Sequence, residues 1–169
     1  MKVQEMIRAI LTRELAALRR QLEAYPDEST IWALTPGISN SAGTLTLHLT
    51  GNLQAFVGAT LGGTDYVRDR AAEFARRDLS RTALIQEIET TLTVVDDTLS
   101  TFPDDRLSEP YPIAFGGLDV DTADFLLHLS THLAFHVGQV DYHRRLLTDD
   151  DRSIGPVAIP GLASIRAAE

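Results

Sequence analysis

The sequence contains no cysteine among its 169 residues. Disulfide bonds, thiolate metal ligands and a cysteine nucleophile are therefore all excluded. Any metal ion would have to be bound through nitrogen and oxygen atoms. Chemistry that needs a thiol would have to take it from a second substrate.

Positive charge and long apolar runs are also scarce. Lys and Arg number 15 against 24 Asp and Glu, which gives a net charge of −9 at pH 7. An acidic chain without a basic stripe is a poor partner for the phosphate backbone of nucleic acid. The sequence has no run of about 18 uncharged apolar residues, which is the length needed to span a membrane. The charged residues near the N-terminus argue against a signal peptide. We therefore expect a cytoplasmic protein that binds neither nucleic acid nor membranes.

Apolar residues recur every three or four positions in four stretches, which is the spacing of amphipathic helices. These stretches are residues 2–25, 41–61, 79–101 and 122–147. Four such helices predict an all-α fold, a four-helix bundle, as a single domain over residues 1–169 with an irregular tail at 148–169. Segment 62–78 is long enough to cross the bundle, so the second and third helices need not be antiparallel neighbours.

Four of the five histidines lie in one short stretch, HLSTHLAFHVGQVDYH (residues 128–143). His128, His132 and His136 are spaced four apart and therefore share one face of the fourth helix. At about 1.5 Å of rise per residue, the outer two lie about 12 Å apart along the helix axis. That separation is too large for both to bind the ion that the middle one binds. An ion can take His128 with His132, or His132 with His136.

The remaining histidine, His48, stands among leucines on the apolar face of the second helix. A histidine in that environment needs a partner, because an unpaired buried polar group costs free energy. His48 is therefore the candidate for the third ligand. It matches His128 and His132 in depth if the second and fourth helices run parallel, and lies nearer His136 if they run antiparallel. Spacing alone permits both arrangements.

Three other site types are excluded because required residues are missing. A zinc-protease HExxH motif needs Glu directly after the first histidine, but Leu129 and Leu133 stand there. Di-iron bundles need Glu three residues before His, and none of the five histidines has one. No GxSxG motif supplies the serine of an α/β-hydrolase.

Two segments, TLTLHLTGNL (44–53) and THLAFHVGQVDYHRRLL (131–147), resemble the DinB-like superfamily, whose relatives include bacterial thiol S-transferases. The resemblance covers residues 1–147 as an order of elements. Its specific part is one histidine on the second helix followed by H-x-x-x-H-x-G-Q on the last. It implies that His48, His132 and His136 are the metal ligands and that a crossover joins the second and third helices.

Three histidine ligands leave at least one coordination position open, as in catalytic sites. Imidazole ligands suit zinc, nickel or iron, so the expected cofactor is a divalent transition metal. A water or an exogenous thiol bound at the open position could act as a nucleophile, which predicts a metal-dependent transferase or hydrolase acting on a small molecule. The resemblance favours thiol transfer, with a low-molecular-weight thiol as co-substrate. No catalytic residue can be named.

Two alternatives to an enzyme stay open. The first is a non-catalytic metal-binding or stress-associated bundle, which is favoured by the lack of any Asp or Glu within one helical turn of the three candidate ligands. A base could still come from another helix. The second is a bundle whose histidines serve packing alone.

Three residues close in sequence to the candidate ligands also have predicted roles. Gln139, three residues after His136, is placed to orient a ligand or a bound water, and Asn52, one turn after His48, is placed to orient that imidazole. Gly138 could let a neighbouring helix approach closely. Ordinary polar contacts and a packing gap are the plainer interpretations of these residues.

Outside the proposed ligand set, His128 is expected in a supporting or core position and His143 at the surface or an interface. A homodimer could form through an apolar face of the first or third helix. The aromatic side chains that could line an apolar pocket, or simply fill the core, are Trp32, Phe56 and Phe135.

Overall fold

Four long helices and one short helix make up the computed structural model, which describes residues 2–77, 79–154 and 159–167. Their bounds are α1 Val3–Glu23, α2 Ala42–Leu53, α3 Arg70–Ala75, α4 Arg81–Thr101 and α5 Thr122–Thr148. Helix α2 continues without a break through a π-helical segment, Gln54–Ala59, and a last turn, Thr60–Gly62. The long helices lie within a few residues of the predicted stretches, and the prediction of an all-α bundle is confirmed. Short 3₁₀ turns occupy Glu28–Trp32, Asp104–Ser108 and Ile159–Gly161.

Side-chain caps explain where two of the long helices begin. The Oγ atom of Ser41 caps α2 by accepting a hydrogen bond from the Thr44 amide at 3.2 Å. Ser80 caps α4 in the same way through the Ala83 amide at 3.1 Å. Each cap satisfies a backbone donor that the first helical turn leaves unpaired.

Leucine and isoleucine side chains from the four long helices form one core. Those with 0 or 1% exposure include Leu11, Leu15, Leu18, Leu49, Leu53, Leu84, Ile88, Leu129 and Leu133. Burial of one such side chain contributes about 1.5–3 kcal/mol. This shared core fixes the faces that α2 and α5 turn toward each other.

Contacts along the helices establish their relative directions. Helix α1 runs antiparallel to α4, since Arg8 pairs with Asp96 at 3.0 Å and Arg19 with Glu89 at 3.3 Å. Helix α2 runs parallel to α4, as the contacts of Gly58 with Val94 and of Gly62 with Thr98 show. Two consecutive long helices that run parallel need a connection back along the bundle, which confirms the predicted crossover.

The crossover between α2 and α4 begins at Gly63, whose positive φ of 68° ends α2, and contains the short helix α3. It packs against α2 where Gly51 has no side chain. A Cβ atom on Gly51 would lie 2.9 Å from the Glu73 Cδ atom and 3.2 Å from the Tyr66 hydroxyl. The bare backbone therefore allows Glu73 to reach the middle of α2.

The connection between α4 and α5 folds back on itself as a short hairpin. The amide of Tyr111 donates to Val120 O at 2.8 Å, and that of Phe115 to Leu118 O at 2.9 Å. Gly116 and Gly117 form the turn with φ of 60° and 83°, values that favour glycine at both positions. The Tyr111 hydroxyl also donates to Phe56 O in the π-helical segment at 2.7 Å.

After α5 the chain is tied to the bundle by Arg144, which is 0% exposed. Its guanidinium donates to Gln21 Oε1 at 2.8 Å and to Asp150 Oδ2 at 3.0 Å, so α1 and the start of the tail share one buried cation. Of the predicted irregular tail, residues 155–158 and 168–169 lie outside the described residues. Across residues 2–77, 79–154 and 159–167, none of the helices has the length and hydrophobicity to cross a membrane.

Candidate metal centre

Three histidines from two helices meet at the centre of the α2–α5 contact. His48 Nε2 lies 3.3 Å from His132 Nε2, and His48, His132 and His136 each offer a ring nitrogen within 4.8 Å of the other two. Two nitrogens that bind one tetrahedral zinc-like ion are about 3.3 Å apart, given bonds of about 2.0–2.1 Å. The group is therefore compatible with metal binding after a small movement of His136.

The direction of the helices decides which histidines meet. Helices α2 and α5 are antiparallel, because His48 contacts His132 and His136 while Phe56, farther along α2, contacts Phe125 near the start of α5. This is the arrangement in which His48 lies nearer His136. The three residues implied by the resemblance are thus brought together.

His128 lies outside this group. Its side chain is exposed and stacks on His132, with ring centroids 6.2 Å apart, and on Phe125, at 6.0 Å. The expectation of a core position is wrong, because this turn of α5 faces solvent beside the hairpin rather than another helix.

A carboxylate from the crossover orients His48 through Nδ1, the ring nitrogen that does not face His132. His48 Nδ1 donates to Glu73 Oε2 at 3.1 Å. Arg68 donates to both Glu73 oxygens, from Nε at 2.7 Å and from Nη2 at 2.9 Å. Glu73 is 5% exposed. Carboxylates that accept from a metal-binding histidine in this way fix its orientation and raise its basicity.

His136 has an equivalent support on its own helix. Its Nδ1 donates to Gln139 Oε1 at 2.6 Å. With Nδ1 engaged as a donor in both His48 and His136, the tautomer is fixed and the Nε2 lone pair is left for a ligand. The expected orienting contact of Gln139 is confirmed.

Burial keeps two of these rings neutral. Desolvation, reinforced by the neighbouring His136 and His48, lowers the pKa of His132 to about 4. Desolvation also lowers the pKa of His48, although the hydrogen bond to Glu73 opposes the shift. Both side chains are therefore unprotonated at neutral pH, the state that a metal ion requires.

Comparison of the sequence with known protein families shows which family this chain belongs to. Residues 3–160 match the family model DUF1572, whose description is "Protein of unknown function (DUF1572)". The chain belongs to the DUF1572 family, a DinB-like family. No curated protein matches the chain.

A crystal structure of a DinB-like protein from Bacillus cereus ATCC 10987 has the same fold as this DUF1572 chain. The TM-score is 0.62 at 20% sequence identity, over 80% of this chain and 87% of the other. The resemblance to the DinB-like superfamily is confirmed as a matter of fold and family. Identity this low says nothing more about the site.

Two expectations near the histidines of this DUF1572 protein are wrong. Asn52 does not hold His48, because Glu73 takes that position, and within the described residues Asn52 Oδ1 is buried without a hydrogen-bond partner. Gly138 is exposed, and no atom of the described residues lies within 4 Å of where its Cβ would be, so none of the described helices approaches there. The close approach occurs instead at Gly51.

His143 is buried, which corrects the expectation of a surface residue. It is 3% exposed, accepts a hydrogen bond from the Tyr25 hydroxyl at 2.6 Å, and donates to Ala33 O at 2.9 Å. The reason is a contact with the end of α1 and the loop after it. Burial lowers the pKa of His143.

The three aromatic residues expected at a pocket lie apart. Phe56 joins an aromatic cluster beside the candidate metal centre, with Phe125 at 5.3 Å and Tyr111 at 6.5 Å between ring centroids. Trp32 packs against Gly43 and donates to Leu79 O at 3.0 Å. Phe135 is 65% exposed.

A cavity of about 310 Å³ is lined in part by Gln139. Its walls come from residues 37–40, from the buried Leu45 and from Gln139, Tyr142 and Leu146 of α5. The exposed wall is mostly apolar. Gln139 thus contacts both this cavity and His136.

Proposed function

We propose that this protein binds a divalent transition metal through His48, His132 and His136 and is a metal-dependent transferase or hydrolase of small molecules. One observation carries the proposal: three imidazoles converge, and two of them have Nδ1 engaged by Glu73 or Gln139 so that Nε2 faces the common point. Histidines that serve packing alone do not require this shared orientation.

The donor set fits an imidazole-preferring ion. Three imidazole nitrogens suit zinc, nickel or iron, and three protein ligands leave room for water or substrate. When bound, the ion would act as a Lewis acid toward that molecule. The protein orients His48 through Glu73, orients His136 through Gln139, and limits access of water by burying His48.

Thiol transfer is the reaction that these residues support best. Both oxygens of Glu73 accept hydrogen bonds from Arg68 and His48, so this carboxylate is an orienting group for His48. A thiol co-substrate, with an ordinary pKa of about 8.5, needs less help from a protein base than water does. The cavity beside Gln139 would receive the apolar part of a substrate.

The engaged Glu73 also favours a second candidate, a metal-binding bundle without catalysis. Both candidates require the same ion, so they differ only in turnover. A homodimer is proposed for either, through an exposed apolar helix face, and size-exclusion chromatography with light scattering tests it.

The experiment has two steps. Metal content after exposure to zinc, nickel and iron salts is measured on wild type, on His132→Ala and on the control His128→Ala, which removes a histidine of the same helix outside the group. We expect about one equivalent in wild type and His128→Ala and a large loss in His132→Ala. The loaded protein is then assayed with a panel of electrophiles and several low-molecular-weight thiols.

The outcomes separate the candidates. Wild-type metal content well below a tenth of an equivalent overturns both. One equivalent of metal with thiol-dependent turnover supports the transferase. One equivalent without metal-dependent turnover of any electrophile, with thiol or with water alone, leaves the non-catalytic bundle.

A further inference from the structure

Asn52 is a buried side chain with unused hydrogen-bonding capacity. It is 8% exposed, and Oδ1 has no partner among the residues that the structure describes. A carboxamide oxygen removed from water in this way costs free energy unless another molecule supplies the bond. Such a residue points to a ligand that is not part of the protein.

The position of Asn52 indicates that this ligand would bind beside the three histidines. It follows His48 by four residues within the α-helical part of α2, so the two side chains share one face. Ring contacts hold this face against α5 on either side of Asn52: His48 with His132 at 5.2 Å between centroids, and Phe56 with Phe125 at 5.3 Å. The carboxamide therefore lies in the α2–α5 contact, one turn from the three histidines.

Nearby polar groups have other partners. Arg68 directs Nε and Nη2 at Glu73 and lies over the Phe56 ring at 5.4 Å from its centroid. Glu73 accepts three hydrogen bonds, two from Arg68 and one from His48. Neither residue satisfies Asn52 Oδ1.

We propose that Asn52 is a positioning residue whose Oδ1 accepts a hydrogen bond from the molecule at the open coordination position, which is water in the absence of substrate. This inference rests on the proposed metal site. An acceptor there stabilises water, which offers two O–H donors, more than hydroxide, which offers one. It also favours substrates that present a hydrogen-bond donor next to their metal-binding atom.

Cobalt is the probe for the test, because its visible absorption reports changes in the ligand at the open position. Wild type and Asn52→Leu, a substitution of similar shape, are loaded with Co²⁺ and titrated from pH 5 to 10. The matched control is Thr46→Val. Thr46 is also buried on α2, and its hydroxyl donates to Ala42 O at 2.8 Å within the helix.

Expected results are specific to a ligand-positioning role. Asn52→Leu binds Co²⁺ with wild-type stoichiometry, and its spectral midpoint falls by about half a pH unit or more, the effect of one hydrogen bond. The Tm of its metal-free form is unchanged or higher, because Oδ1 forms no hydrogen bond with the described residues that the substitution could remove. Thr46→Val keeps the wild-type midpoint.

Other results overturn the inference. One is an unchanged or raised midpoint in Asn52→Leu, whatever its Tm. A second is a wild-type spectrum without any transition between pH 5 and 10, and a third is an equal shift in Thr46→Val. Absence of Co²⁺ binding by wild type overturns the proposed metal site as well, whereas normal binding with an unchanged midpoint overturns only the role of Asn52.

Discussion

Glu73 and His48 are joined by a hydrogen bond of 3.1 Å between a helix of the crossover and the middle of α2. The contact is buried on both sides and is reinforced by Arg68. It makes the connecting segment part of the candidate metal centre.

Replacement of Glu73 by Ala should weaken metal binding without removing a ligand. His48 loses the acceptor that fixes its tautomer, and loss of such a partner typically lowers affinity about 10–100-fold. Competition with a zinc indicator measures the effect. The control Glu89→Gln removes a surface ion pair with Arg19 and should bind zinc as wild type does. Equal affinities for all three proteins would contradict this role of Glu73.

Substitution of two helical glycines by Ala should have opposite effects. A Cβ on Gly51 collides with Glu73, so Gly51→Ala should destabilise the protein by about 1–3 kcal/mol. The same change at Gly138 meets no atom of the described part of the chain and should stabilise the protein by about 0.4–1 kcal/mol through the lower entropy of the unfolded chain. Urea denaturation of the metal-free proteins measures both. Similar changes at the two positions would show that the crossover does not need the bare backbone of Gly51.

His143 should make stability depend on pH. Its pKa is lowered in the folded protein, so below the unfolded value of about 6.5 the unfolded chain binds a proton that the folded chain does not. The stabilisation is complete above that pH and falls by up to about 1.4 kcal/mol per pH unit below it. His48 and His132 add to the same trend in metal-free protein.

The variant His143→Gln isolates this contribution, since glutamine has no titration in the range. Urea denaturation in the presence of a chelator, from pH 7.5 to 5, should show a shallower loss of stability in the variant. Parallel curves for wild type and variant would mean that His143 does not titrate on unfolding.

Periodicity was enough to predict the helices, because long amphipathic stretches such as residues 79–101 bury one face whatever their partners are. The choice of His132 and His136 needed the direction of α2 relative to α5, which spacing left open and the resemblance supplied. The carboxylate of Glu73 could not be placed, since α3 has only six residues and no apolar repeat. The burial of His143 depends on the loop after α1, whose position no local pattern encodes.

The crossover should couple metal binding to the folding of the segment between α2 and α4. Because Glu73 and Arg68 stand in the same segment that reverses the path of the chain, an ion bound to His48 would be thermodynamically linked to the closing of that segment. Hydrogen exchange at the amides of residues 68–75 should then slow when zinc is added, by the same factor as at the amides beside His48. Binding of the ion and closing of the crossover against α2 would then be a single cooperative event.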